Sequence, residues 1–140
     1  MRIVGVVPAR YGSTRLPGKS LVPLCGKPLV QWVYERARAA RSLDAVLVAT
    51  DDARIQRAVE GFGGQVVMTR ADHPSGTDRI AEAVAGLDAQ VVVNIQGDEP
   101  LIEPGAIDAA VLAMLDNPDI PMGTLSKRIE REEEHRNPNV

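Results

Sequence analysis

Cysteine and histidine are nearly missing from this chain: Cys25, His73 and His135 are the only residues of either type. That excludes a disulfide framework within the chain and a cysteine-rich zinc site. Positive charge is not in excess either, and a formal net charge of -3 argues against nonspecific binding to duplex nucleic acid, although a small basic pocket can coexist with an acidic surface. No apolar run approaches membrane-spanning length, and Ile3 to Val7 is too short for a secretory core. Internal repeats and low-complexity segments are absent too, which removes solenoids. The expectation is a cytoplasmic protein with no membrane and no nucleic-acid partner. Its reduced Cys25 is expected to pack beside Leu24 rather than act as a nucleophile, since no histidine or acid stands near it in sequence.

What remains is an ordinary globular composition. With 140 residues, 44% of them hydrophobic and 25% charged, the chain can bury one core without covalent staples. Ile3 to Val7 is a continuous apolar run rich in β-branched residues, the signature of a strand buried on both faces, and Pro8 ends it. Ala45 to Ala49, Gln65 to Met68 and Val91 to Ile95 repeat that pattern. Between and after them lie helical stripes: Val30, Val33, Ala37 and Ala40 following Pro28; Ile55, Ala58, Val59 and Phe62 ahead of Gly63-Gly64; Ile80, Ala83, Val84 and Leu87 up to Gly86; and Ile107, Ala110, Val111 and Met114 between Pro104 and Asp116. Thr50-Asp51-Asp52 is placed to cap the second helix. Trp32 and Tyr34 fall in the first, where they serve packing rather than base stacking. Gly123 to Ile129 reads as a further edge strand, and Glu130 to Arg136 as a solvated charged stretch. Strand-helix alternation of this kind predicts an α/β fold, a Rossmann-like mainly parallel sheet with flanking helices.

Chemistry concentrates at the carboxyl ends of the predicted strands. Arg10, Arg15 and Lys19 fall within ten residues, interleaved with Gly12, Ser13 and Gly18. Glycines admit close approach of backbone to ligand, and the clustered cations suit an anion with several negative oxygens. The stretch is neither a Walker loop, because the glycine spacing before Lys19 is wrong, nor a dinucleotide fingerprint; the plain alternative is a basic surface loop. His73-Pro74-Ser75-Gly76-Thr77-Asp78-Arg79 places hydroxyls, a glycine and a guanidinium at a helix start, where they can meet base, ribose or phosphate, unless Asp78 is simply the helix cap. Gln96-Gly97-Asp98-Glu99-Pro100 occupies the same topological position as the basic loop, so both can face one ligand. Asp98 is the candidate ligand for a hard cation such as magnesium, and Gln96 a candidate reader of a base edge. Each has a structural alternative: an ion pair between Lys19 and Asp98 or Glu99, and pairing of Gln96 with the backbone of the Pro100 turn.

Three motifs, Val7 through Lys19, His73 through Arg79 and Val93 through Ile102, occur in order, with Asn137-Pro138-Asn139-Val140 after them. In these the chain resembles the 3-deoxy-manno-octulosonate cytidylyltransferases, or CMP-Kdo synthetases, of the sugar-nucleotidyltransferase superfamily. The resemblance implies a nucleotide-diphospho-sugar transferase-like fold, with CTP and the eight-carbon acidic sugar Kdo as substrates. The products would be CMP-Kdo, for lipopolysaccharide assembly, and pyrophosphate. It implies that Arg10, Ser13, Arg15 and Lys19 surround the triphosphate with Gly12 in their loop, that Ala9 and Gln96 help recognise cytosine, and that Pro8, Ser75, Gly76 and Arg79 lie along the nucleotide. Asp98 would hold Mg2+ and, with Arg10, Arg15 and Lys19, serve the chemical step. It further implies that residues 1–140 are the nucleotide-binding portion of one α/β nucleotidyltransferase domain. A second metal carboxylate, much of the Kdo pocket and the elements of a homodimer would then lie in later sequence. A CMP-sialic acid synthetase, another sugar nucleotidyltransferase, or a nucleotide-binding module without activity are the alternative readings.

Overall fold

The computed structural model describes residues 2–12, 17–117 and Asp119. Four parallel strands make the central sheet: β1 (Ile3–Pro8), β4 (Ala45–Thr50), β5 (Val66–Met68) and β6 (Val91–Asn94), in the order β5-β4-β1-β6. The two strands missing from that numbering, β2 (Pro23–Leu24) and β3 (Lys27–Pro28), form a small antiparallel hairpin. Helices α1 (Leu29–Arg38), α2 (Ala53–Gly61) and α3 (Gly76–Val84) connect successive strands, and α4 (Pro104–Asp116) follows β6.

The unbroken apolar runs of β1 and β4 have the cause predicted for them, since both faces of these strands are covered. Val7, Val46, Val48 and Ile95 pack with α1, α2 and α4 through Val30, Val33, Ala37, Ile55, Val59 and Ile107. Val4, Val6, Leu47 and Ala49 point the other way, onto Ile80 and Ala83 of α3. Alternation along each strand thus divides one apolar run between two layers. The chain moves outward from β1 to β4 and β5, and α3, packed on β1 and β4, carries it back to β6 on the far side of β1. All four βα connections therefore leave from the same edge of the sheet. On the α4 side, the Asp108 carboxylate braces that helix to the loop before β4 by accepting hydrogen bonds from the Ser42 backbone (2.8 Å), its hydroxyl and the Arg41 backbone (3.2 Å).

Boundaries depart from expectation in small, physical ways. β1 ends at Pro8 as expected, but with the proline as its last residue, aligned with Ala49, and not the first residue beyond it; a proline at a strand end forfeits only one ladder donor, and Ala9 N–H donates to the Ala49 carbonyl at 2.9 Å. Leu87 packs on the α3 layer from beyond the helix, which ends at Val84. Asp52 caps α2, accepting from Arg54 N at 2.8 Å, whereas α3 is capped by Ser75 and not by Asp78. Ser75 Oγ accepts from Asp78 N at 3.2 Å and donates to the Asp78 carboxylate at 2.7 Å. Cys25 does not pack inward: it is exposed at the tip of the β2–β3 hairpin. There it and Gly26 both take positive φ, 51° and 85°, the backbone demanded by a two-residue turn matched to strand twist. Tyr34 is buried, its ring 5.5 Å from Phe62 and its hydroxyl accepting from Gln65 N, while Trp32 donates Nε1–H to the Leu24 carbonyl. The strand expected over Gly123 to Ile129 and the charged stretch Glu130 to Arg136 lie outside the described residues.

Ile55 is wholly buried between α2 and the sheet. Ile55→Ala should lower stability by about 2–5 kcal/mol through lost burial and the cavity left behind, measured by urea unfolding.

Candidate functional site

Three loops meet at the carboxyl edge of the sheet and enclose a cleft of about 330 Å³. The end of β1 contributes Pro8, Ala9 and Arg10, the approach to α3 contributes His73, Pro74 and Ser75, α3 itself Gly76 and Arg79, and the end of β6 Gln96. Their approach is close because two of the contact points have no side chain. A Cβ on Gly97 would stand 2.9 Å from the Pro8 carbonyl oxygen, and one on Gly76 would stand 3.3 Å from the Pro8 ring. A larger, more open depression of about 530 Å³ lies at the opposite edge, bounded by Arg2, Asp44, Asp88 and Gln90. Its two carboxylates and single guanidinium are solvent-facing, and none of the predicted loops reaches it.

The walls of the cleft differ in electrostatic character. Arg79 is 4% exposed, an unusual place for a guanidinium. Its Nη1 donates to the Thr69 hydroxyl and to the Arg70 carbonyl at 3.0 Å, and Asp51 Oδ1 stands 3.9 Å away. That oxygen is buried and accepts no hydrogen bond from any described residue, so Asp51 offsets part of the Arg79 charge through space without a direct bond. His73, its ring 6% exposed, is held by Glu82 at 2.7 Å. The Arg70 backbone N–H and then the His73 ring hold the Glu82 carboxyl below its ordinary range, so Glu82 is an ionised acceptor fixing the imidazole in the wall.

Beside the cleft, Lys19 and Asp98 form an ion pair at 3.5 Å with side chains 48% and 56% exposed. Lys19 opens a 3₁₀ turn (Lys19–Leu21) directly after Gly18, and Asp98 lies in the turn after β6. The predicted ion-pair partner of Lys19 is therefore present. A pair this exposed is worth about 1 kcal/mol or less, which gives Lys19 little structural duty. Among the described residues no three histidine, cysteine, aspartate or glutamate side chains gather to hold a metal. Asp98 alone suits a magnesium ion that keeps waters and takes its other oxygens from phosphate, not an all-protein cage.

The structure thus brings Pro8, Ala9, Arg10, Ser75, Gly76, Arg79 and Gln96 to one cleft, with Lys19 and Asp98 adjoining. Gly12 is exposed with open space around it, and Ser13 and Arg15 lie outside the described residues. The alternative partner for Gln96 is not taken up by its side chain among the described residues; only its carbonyl joins the turn, accepting from Glu99 N at 3.4 Å. Sequence reasoning did not anticipate His73 as a wall or Asp51 and Thr69 as partners of Arg79. No spacing rule links a loop histidine to Glu82 on a helix, and the only hint was an imidazole inside an otherwise polar motif.

A parallel sheet with this cleft at its carboxyl edge defines a Rossmann-like α/β protein whose ligand site lies at the strand ends. A cytidylyltransferase family model matches residues 4–140, and the chain belongs to that family. It is 55% identical, over all 140 of its residues, to the 3-deoxy-manno-octulosonate cytidylyltransferase of Syntrophotalea carbinolica, 56% of which it covers. A CMP:2-keto-3-deoxy-manno-octonic acid synthetase solved in complex with CTP is similar at 49% identity and a TM-score of 0.85, over 86% of this chain and 50% of that one. A cytidylyltransferase from Leptospira borgpetersenii aligns at 26% identity and a TM-score of 0.74, over 84% and 50%. The chain spans about half the length of the curated relatives it matches. None of its described helices is long and apolar enough to cross a membrane.

Gly97→Ala should displace the β6 loop from Pro8 and carry Gln96 and Asp98 with it. Because the clash is with backbone and not with the end of a flexible side chain, this is expected to lower the apo melting temperature, read by thermal unfolding. Gly105→Ala, in open space on α4, should leave the melting temperature unchanged or slightly raised in the same measurement, since alanine favours the helix.

Proposed function

We propose that the full-length protein transfers a cytidylyl group from CTP to 3-deoxy-manno-octulosonate, giving CMP-Kdo and pyrophosphate, and that this chain supplies the nucleotide side of the site. One observation carries the reading: three loops from separate parts of the chain converge on a single cleft, and two residues beyond Gln96 in its wall Asp98 pairs with Lys19, both half-exposed. The acceptor is chosen because relatives at 50–55% identity over 99–100% of the chain are 3-deoxy-manno-octulosonate cytidylyltransferases.

In this reading Pro8, Ala9 and Gln96 receive the base, with the Gln96 amide able both to donate and to accept. Arg79, buried beneath them, supplies a fixed positive charge, and Arg10 and Lys19 take the phosphates. The sugar hydroxyl oxygen bonds to the α-phosphorus while the bond from that phosphorus to the bridging oxygen of the β-phosphate breaks. Pyrophosphate leaves with the electron pair, and the hydroxyl proton is released. Arg10 and Lys19 stabilise charge on the phosphoryl oxygens and on the leaving group, and Lys19 can do so without breaking any buried contact. Magnesium, held by Asp98 together with phosphate oxygens, would add charge neutralisation at the same place. A homodimer, implied by the resemblance, and a cytoplasmic location, expected from the sequence, complete the reading.

With CTP, Mg2+ and Kdo, the full-length protein should release pyrophosphate and yield a product of CMP-Kdo mass. Turnover with sialic acid but not Kdo would overturn the acceptor assignment. Asp98→Asn should reduce turnover about 10²-fold or more, by the scale of an electrostatic stabiliser lost from a reacting centre. The apo melting temperature should barely move, because the exposed pair with Lys19 contributes about 1 kcal/mol or less. Near-normal turnover with unchanged magnesium dependence would count against Asp98 as the metal ligand.

A further inference from the structure

Tyr11 and Gly18 stand at the two ends of the loop that carries the candidate phosphate-binding residues, and they are locked together. Gly18 N–H donates to the Tyr11 carbonyl at 2.7 Å, with Gly18 in the left-handed region at φ 73°. A Cβ on Gly18 would fall 2.8 Å from Tyr11 Cε2, so the ring lies directly against the bare Cα. The same ring carries the Arg54 guanidinium, whose Cζ is 3.3 Å from its centroid. Arg54 is aimed in turn by Asp52, with Nη2 on Oδ2 at 2.8 Å and Nε on Oδ1 at 3.1 Å, while Asp52 is itself anchored as the cap of α2. A continuous line of contacts thus runs from the start of α2 through Arg54 and Tyr11 to Gly18, and the next residue is Lys19, 3.5 Å from Asp98.

Core packing explains the Tyr11 ring, which lies half-buried against the core, but not the charged half of the arrangement, because the Arg54 side chain is 51% exposed and neither Arg54 nor Asp52 belongs to a buried cluster. A bidentate carboxylate pair and a cation–π stack remove most of the rotamer freedom of a surface arginine, which suits a part whose task is placement. We infer that Arg54 and Tyr11 are positioning residues for Lys19. Their stack presses on the Gly18 turn and fixes where the ammonium meets the phosphate end of the nucleotide. The inference rests on the reading of Lys19 as a triphosphate ligand. Preorganisation of this kind raises affinity by ordering the binding group before the ligand arrives. The Arg54 guanidinium lowers the Asp52 carboxyl from an ordinary 3.8 to about 2. Its stabilisation is therefore complete above the ordinary carboxylate range and is lost only as the pH falls toward 2, so the stack is intact at neutral pH.

The test uses the full-length protein and equilibrium titrations with CTP and with CMP, which lacks the β- and γ-phosphates, together with apo melting. Arg54→Ala and Tyr11→Leu should each weaken CTP by about tenfold, a factor within the reach of one lost stack, and change CMP by less than about twofold. Tyr11→Phe keeps the ring and should restore CTP affinity, whatever the hydroxyl does. In a Lys19→Ala background, Arg54→Ala should add no further loss for CTP, because two residues acting through one contact are non-additive. Unchanged CTP affinity in Arg54→Ala, equal weakening of CTP and CMP with a lowered melting temperature, or full additivity with Lys19→Ala would each overturn the positioning role. If Lys19→Ala alone leaves CTP affinity and turnover intact, the triphosphate reading of Lys19 falls and this inference with it. If Lys19→Ala is impaired while Arg54→Ala is normal, only the inference falls.

Discussion

Close approach of two loops to the end of one strand is the constraint on which the cleft depends. Pro8 closes β1 beside its β4 and β6 neighbours, and both Gly76 and Gly97 press against it where any side chain would collide or crowd. Because β1 is central and buried on both faces, its end is a rigid reference point, and loops packed on it inherit that rigidity. The base end of the proposed site, Ala9 and Gln96, is therefore positioned by the core itself, while the phosphate end at Lys19 needs its own brace from α2.

Charge is divided by depth in a way that matches this mechanical division. Arg79 sits in low-dielectric surroundings with hydroxyl and carbonyl partners and Asp51 3.9 Å away, so its guanidinium is held in place and its charge is partly offset inside the wall. Lys19 and Asp98 face water, where their mutual attraction is weak. Weak pairing is an advantage at a site that must exchange partners, since an incoming phosphate or cation displaces little. A fixed interior charge and a mobile rim pair together suit an anionic ligand whose base is held firmly and whose phosphates react.

His73 illustrates how a residue can belong to a site without donating chemistry to it. Its ring, tied to Glu82 and nearly buried, forms a wall whose orientation is set by a carboxylate kept ionised chiefly by the Arg70 backbone N–H. Ser75 plays a comparable double part, capping α3 while lining the cleft. Both link the stability of a local element to the shape of the binding surface.

The amphipathic stripes at Ile55/Val59 and Ile107/Val111, and the apolar runs at Ile3 to Val7 and Ala45 to Ala49, declared the helices and strands from the sequence alone, because burial periodicity is a local property of the chain. The polar strand ends were legible for the same reason: Arg10, Arg79, Gln96 and Asp98 each follow or begin a recognisable element. The β2–β3 hairpin was not, because it turns on a cysteine at φ 51°, a backbone choice that this residue type does not advertise. The Ser75 cap was hidden by its reciprocal bond with Asp78, which makes either residue a plausible cap on paper. Pairings across long sequence separations were invisible as well: Arg79 with Thr69 and Asp51, His73 with Glu82, and Arg54 with Tyr11. The sequence by itself determined which segments would be buried and which loops would carry charge, since both follow from residue type and spacing. Only the tertiary structure decided which of those charges would be sunk into the core, which would face water, and which would stack to hold another in place. Those outcomes depend on desolvation and on distances between elements that the chain brings together only when the sheet is assembled.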